Sequence, residues 1–167
     1  MRTFVEVGVD LGVYSKIILD SHPEILLYAV EPWLPYPEIP GDRSSAKERA
    51  LNTLKPYGDR VKVVELKSAM AMHVVPDGID FVYIDAAHDA ISVTYDLHGW
   101  YRKLRPGGIL AGHDFDAGEV RDSVLYLAGF FGLQVHVIPD MGDSGKKDPR
   151  GGWAHPSYYV IKPSMSK

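Results

Sequence analysis

The stretch Thr3-Phe4-Val5-Glu6-Val7-Gly8-Val9-Asp10-Leu11-Gly12 is an apolar, β-branched run that ends in a glycine turn. Residues 13–21 behind it carry helical spacing. A strand that feeds a helix through such a turn is the first half of a β-α unit. The pattern then recurs along the chain. Further apolar runs lie at residues 26–30, 61–66, 79–84 and 109–112. They are almost continuous, as strands buried on both faces of a parallel sheet should be. Helix-period segments fall at residues 44–55, 92–104 and 119–131. In the second of these, Val93, Leu97, Trp100 and Leu104 recur at spacings of four, three and four. Pro106-Gly107-Gly108 is expected to stop that helix. Two last runs, residues 133–138 and 157–162, have no helix between them and should pair antiparallel. The whole predicts an α/β fold, a doubly wound sheet with helices on both faces. Ligands of such sheets bind beyond the carboxyl ends of the strands.

Composition sets the outer bounds. The chain has 167 residues, 18.6 kDa, 46% hydrophobic and 24% charged residues, and no cysteine. That is one ordinary domain with a normal core. The lack of cysteine excludes disulfides, thiolate metal sites and a cysteine nucleophile, and fits a cytoplasmic protein. No apolar run approaches the roughly 20 residues of a membrane span. A net charge of -4 lacks the basic bias of nucleic-acid binders. The expected partner is a small molecule, with no nucleic acid and no membrane, and the sequence allows a homo-oligomer. Two stretches break the regular pattern: residues 32–43, with four prolines, and residues 139–156, rich in Gly, Asp and Lys. Loops this long are often functional.

The first candidate site is the turn from Glu6 to Gly12. Glycines there let a ligand approach the backbone. The turn lacks the middle glycine of G-x-G-x-x-G, because Asp10 stands in its place, so a pyrophosphate cradle is disfavoured. Its acidic residues suit a ligand with a positive centre. Glu31 ends the second strand, nineteen positions after Gly12. An acidic residue so placed hydrogen-bonds the hydroxyls of a ribose.

Glu6-x-Gly8-x-x-x-Gly12 followed by Glu31 resembles the first two motifs of class I S-adenosylmethionine-dependent methyltransferases. The segment from Phe81 to Asp89, FVYIDAAHD, and that from Leu104 to Phe115, LRPGGILAGHDF, extend the likeness. They are similar to a small bacterial subgroup near the macrocin and catechol O-methyltransferase families. The resemblance covers residues 3 to about 162. It implies a Rossmann-like sheet of about seven strands, mostly parallel with an antiparallel last strand, in the order 3-2-1-4-5-7-6. It also implies one domain over residues 1–167, without the helices that in many relatives precede the first strand and cover the acceptor pocket. An open cleft for a large substrate, a partner subunit or the proline-rich loop would take their place, or the chain is a fragment or a minimal form of a longer relative.

The cofactor implied is S-adenosyl-L-methionine. By resemblance, Glu6, Gly8 and Asp85 face its methionine end, with Gly12 in the same turn. Glu31 holds the ribose, with Trp33 as a nearby wall, and Ser68, Ala69 and Met70 line the adenine. Asp85, His113 and Asp114 occupy positions that hold a divalent ion in metal-dependent relatives. His113 tilts that site away from Mg²⁺ and toward Mn²⁺, Zn²⁺ or no metal. His88 or His113 is a candidate general base, and Asp85 a candidate proton acceptor or ion holder. His88 capping the following helix is the structural alternative. Ser15 and Tyr14 read as capping and packing residues, Trp100 as core. His22, His73, His98, His136 and His155 read as surface or packing residues. Trp153 reads as a cleft wall or a loop anchor, and Lys146-Lys147-Asp148-Pro149-Arg150 as a solvated loop face. The function expected is O-methylation of a small hydroxylated acceptor. A catalytically silent cofactor-binding module acting through a partner is the alternative. A nucleotide-sugar or dinucleotide enzyme is disfavoured by the missing glycine motif.

Overall fold

A computed structural model describes residues 2–36, 39–139 and 155–164. Pro37, Trp153, the run from Lys146 to Arg150 and most of the second long loop lie outside the described residues.

The expected alternation is present. The order is β1 (Arg2–Val7), α1 (Val13–Ser21), β2 (Ile25–Val30), α2 (Ser44–Leu54), β3 (Val61–Val64), α3 (Ser68–Val74), β4 (Ile79–Ile84), α4 (Ala90–Lys103), β5 (Leu104–Gly112), α5 (Gly118–Phe131), β6 (His136–Ile138) and β7 (Ser157–Ile161). These strands form one sheet in the order β3-β2-β1-β4-β5-β7-β6. The first five are parallel, and β7 runs antiparallel to both β5 and β6. This is the Rossmann-like arrangement expected.

Two apolar layers hold the helices to the sheet. One is built on Leu97, Trp100, Val124 and Leu127, from α4 and α5, against Val5, Val82 and Leu110. The other joins Ile18, Leu19, Ala50 and Leu54, from α1 and α2, to Phe4, Leu27 and Ala29. Alternate residues of the central strands thus face opposite layers, which is why these strands read as continuous apolar runs.

Three local expectations change. The helix α4 ends at Lys103, before Pro106-Gly107-Gly108, because Leu104 is already extended and buried as the first residue of β5. The glycines lie inside that strand, where its register against β4 shifts. Ser15 does not cap α1; its hydroxyl turns inward to Glu6. Nor does His88 cap α4, a role taken by Asp89, whose carboxylate accepts from the Ser92 amide at 3.0 Å. Short α3 went unmarked by periodicity, since seven residues give barely two turns.

Candidate active site

The carboxyl ends of β1, β2, β4 and β5 meet at one edge of the sheet. There the Gly8 amide donates to the Val30 carbonyl at 3.0 Å, and the Asp85 amide to the Val7 carbonyl at 2.8 Å. Gly8 has a left-handed φ of 93°, and a Cβ on it would lie 1.7 Å from the Asp85 carbonyl oxygen. The missing side chain therefore makes room first for the backbone of β4. Gly12 caps α1 at φ 76° and packs on Ala50 of α2. It helps to aim the helix and stands apart from the cavity described below.

The acidic turn does not keep a free negative charge for a ligand. Asp10 accepts from buried Arg43 at 2.5 Å. The indole N–H of Trp33 donates to the Asp10 carbonyl at 2.9 Å. Trp33 is thus buried behind the turn as a brace. Arg43 ends the proline-rich stretch 32–43, but nothing local in that stretch marks its partner, Asp10, 33 residues away.

Glu31 is 8% exposed and gathers the same turns. Its Oε2 accepts from the amides of Val9 and Asp10 at 3.2 and 3.3 Å, and its Oε1 from the Trp33 amide at 3.0 Å. A carboxylate offers about four acceptor positions, so capacity remains for a ligand hydroxyl. Glu6 is deeper, at 1% exposed, and accepts from the Ser15 hydroxyl. Burial pushes its carboxyl up to about 8, against the Ser15 hydrogen bond, with Asp85 adding repulsion. Glu6 is therefore a largely neutral strut under the turn at neutral pH.

A cavity of about 430 Å³ opens over this edge, within the range of small-molecule sites. Gly8, Glu31, Ser68, Ala69, Asp85 and Asp96 line it. Glu6, Gly12, Trp33 and Met70 are not in its wall; Met70 is 57% exposed on α3. Asp96 was not foreseen, because an acid on a helix ordinarily reads as solvated. It is 7% exposed, and burial pushes its carboxyl up to about 6, against a hydrogen bond from the Ser68 hydroxyl.

Beside the cavity stands a cluster of histidines and aspartates. Asp114 accepts from His88 Nε2 at 2.8 Å and lies 3.2 Å from His113 Nδ1. Burial works to raise the Asp114 carboxyl, yet its bonds to His113 and His88 hold it well below the usual carboxylate range. The hydrogen bond to Asp114 conversely raises His113. Ligand atoms of Asp85, His113 and Asp114 lie within 4.8 Å of one another, as do those of Asp114, Asp116 and His155. His155, read from sequence as a surface or packing residue, bonds Asp116 at 2.8 Å and so joins the cluster's rim. Only the antiparallel return of β7 beside β5 brings it there.

The profile of a family described as a methyltransferase domain matches residues 5–115, more than half of the chain. The chain belongs to this methyltransferase family. S-adenosyl-L-methionine is the cofactor of the family. No curated protein matches the sequence. Solved structures share the fold. Cofactor-bound Rv0187 from MTB has a TM-score of 0.70 and 18% identity, over 98% of this chain and 74% of that one. A SAM-dependent O-methyltransferase from Thermotoga maritima has a TM-score of 0.70 and 13% identity, over 99% of this chain and 61% of that one. An rRNA methylase from Streptococcus thermophilus has a TM-score of 0.70 and 13% identity, over 98% of this chain and 87% of that one. The methyltransferase has, among its described residues, no helix long and apolar enough to cross a membrane.

Proposed function

We propose that this methyltransferase transfers the methyl group of S-adenosyl-L-methionine to a hydroxyl oxygen of a small acceptor. The observation that carries this reading is the position of Asp85. It is at once a wall of the cavity and a member of the histidine–aspartate cluster. Cofactor and acceptor would meet at that residue.

The cavity residues fit the cofactor. Glu31 would accept from a ribose hydroxyl with its remaining capacity. Gly8 and Asp85 would face the methionine portion, and Ser68 and Ala69 the adenine. Gly12, Trp33 and Glu6 would act from behind, by holding the turn, and Met70 by its place on α3. The bound cofactor supplies an electrophilic methyl for in-line displacement, in which alignment lowers much of the barrier. The acceptor's proton would pass to an imidazole of the cluster, to His88, or to His113 where no ion occupies it, each oriented by Asp114. Because its bond to Asp114 raises His113, its basic form would dominate only above the ordinary imidazole range.

The same cluster fits a divalent ion, held by Asp85, His113 and Asp114. Two carboxylates and an imidazole suit Mn²⁺ better than Mg²⁺. An ion bound there would lower the pKa of an acceptor hydroxyl. A small acceptor is favoured over a nucleic acid, since Asp85, Asp114 and Asp116 would repel a phosphodiester chain and the net charge is -4.

The test is transfer of a labelled methyl group to a panel of small phenols, catechols and hydroxylated sugars. Label should appear on oxygen. Chelation should cut the rate about tenfold or more, with recovery in Mn²⁺. Full activity after chelation would remove the metal role from the cluster. Transfer only to RNA or to amines would overturn O-methylation of a small acceptor.

A further inference from the structure

Helices α4 and α5 lie side by side and run parallel. Near their starts the Ala90 amide donates to Glu119 at 3.1 Å, and a turn later the Thr94 hydroxyl donates to Ser123 at 3.1 Å. At their ends Tyr101 packs on Phe131. Each α5 residue thus stands level with the α4 residue 29 positions before it. The outer face of this pair is not polar, as the solvent side of such helices ordinarily is. Tyr126 is 62% and Phe130 68% exposed, with Leu125 and Tyr95 exposed beside them. The His98 ring sits between the helices, with centroids 6.0 Å from Tyr126 and 5.9 Å from Phe130. Burial, with Arg102 adding repulsion, holds this imidazole below its ordinary range, so the middle of the face carries no charge at neutral pH. Exposed aromatic surface gathered in this way marks a contact site.

Charge is sorted to the two ends of the face. Asp89, Glu119 and Asp122 stand at the start of the helices, with Arg121 bonded to Asp122. Arg102 stands at the far end, exposed and, among the described residues, in no ion pair with a carboxylate. Lys103 beside it is taken by Asp77. Such a surface fits a copy of itself turned around. Closed dimers of one chain are built on a two-fold axis. An axis along the helices would set Arg102 against Arg102. An axis perpendicular to them sets Arg102 against the partner's Asp122, twice over, and opposes the helix dipoles. Asp122 stands level with Val93, so the midpoint between it and Arg102 falls at His98 and Tyr126. That is also the centre of the aromatic face. Charge and apolar surface thus place the axis at the same point.

We propose that the outer face of α4 and α5 pairs with the same face of a second copy of this chain, helices antiparallel, about a two-fold axis at His98 and Tyr126. Phe130 then packs on the partner's Tyr95. Tyr95 also lines the cavity, so each copy's Phe130 borders the rim of the other's cavity.

The experiment is analytical ultracentrifugation of the whole chain over a concentration series up to about 200 μM. The wild type should dimerise, with a Kd on the order of tens of micromolar, as suits a small interface. Phe130→Glu should weaken dimerisation about tenfold or more, since each substitution counts twice across the axis. Arg102→Glu should also weaken it about tenfold, by setting acid against acid. Adding Asp122→Lys to Arg102→Glu should return the Kd to within about threefold of wild type. All three residues are exposed, and thermal melts check that each variant is folded. A wild type that stays monomeric throughout would overturn the proposal and leave the face to a partner of another kind. Dimerisation unchanged in Phe130→Glu would place the contact elsewhere and overturn it too. A charge-reversed double variant no better than Arg102→Glu alone would overturn the antiparallel arrangement.

Discussion

Gly8→Ala is expected to abolish measurable cofactor binding and to destabilise the protein by about 3 kcal/mol or more. The added Cβ would lie 1.7 Å from the Asp85 carbonyl oxygen. That atom is backbone, so no rotamer change relieves the contact. The ends of β1 and β4 would have to separate, which moves Gly8 and Asp85, two walls of the cavity, at once. The left-handed φ of 93° adds strain for any residue with a side chain. Gly129→Ala is the control, because a Cβ there meets nothing within 4 Å. Thermal melts and cofactor titration of both variants decide the matter. Wild-type affinity and melting temperature in Gly8→Ala would show that the turn is not packed as described.

Glu31→Ala should weaken cofactor binding by about 1–3 kcal/mol, the cost of leaving polar groups unpaired. Two losses combine. The ligand loses an acceptor for its hydroxyl. The amides of Val9, Asp10 and Trp33 lose their shared acceptor, so the turn over the cavity loosens. Glu31→Gln separates these losses, since its single carbonyl oxygen can keep only part of the amide set. It should fall between alanine and wild type. Unchanged affinity in Glu31→Ala would remove the ribose assignment.

The sheet was legible because its central strands are buried on both faces and so read as unbroken apolar runs. The antiparallel end was legible because no helix separates β6 from β7. Where the reading slipped, a tertiary contact had overruled a local signal. Pro106-Gly107-Gly108 looks like a helix stop, yet pairing with β4 and burial of Leu104 draw the chain into a strand earlier. In the site, Glu31 is legible from its place at a strand end, and Asp85, His113 and Asp114 through the family resemblance. Arg43, Asp96 and His155 are not. Each reaches the site from elsewhere in the chain, Arg43 from 33 residues beyond its partner and His155 from 39. Their roles depend on which elements pack together, and no local pattern records that. Gly8 and Gly12 stand out in the sequence, but the space they leave is filled by protein backbone and helix packing.

The most direct test of the account is calorimetric titration of the wild-type protein with S-adenosylmethionine and S-adenosylhomocysteine. One-to-one binding of both is expected, with a Kd on the order of micromolar. Absence of binding by either ligand at about millimolar concentration would contradict it.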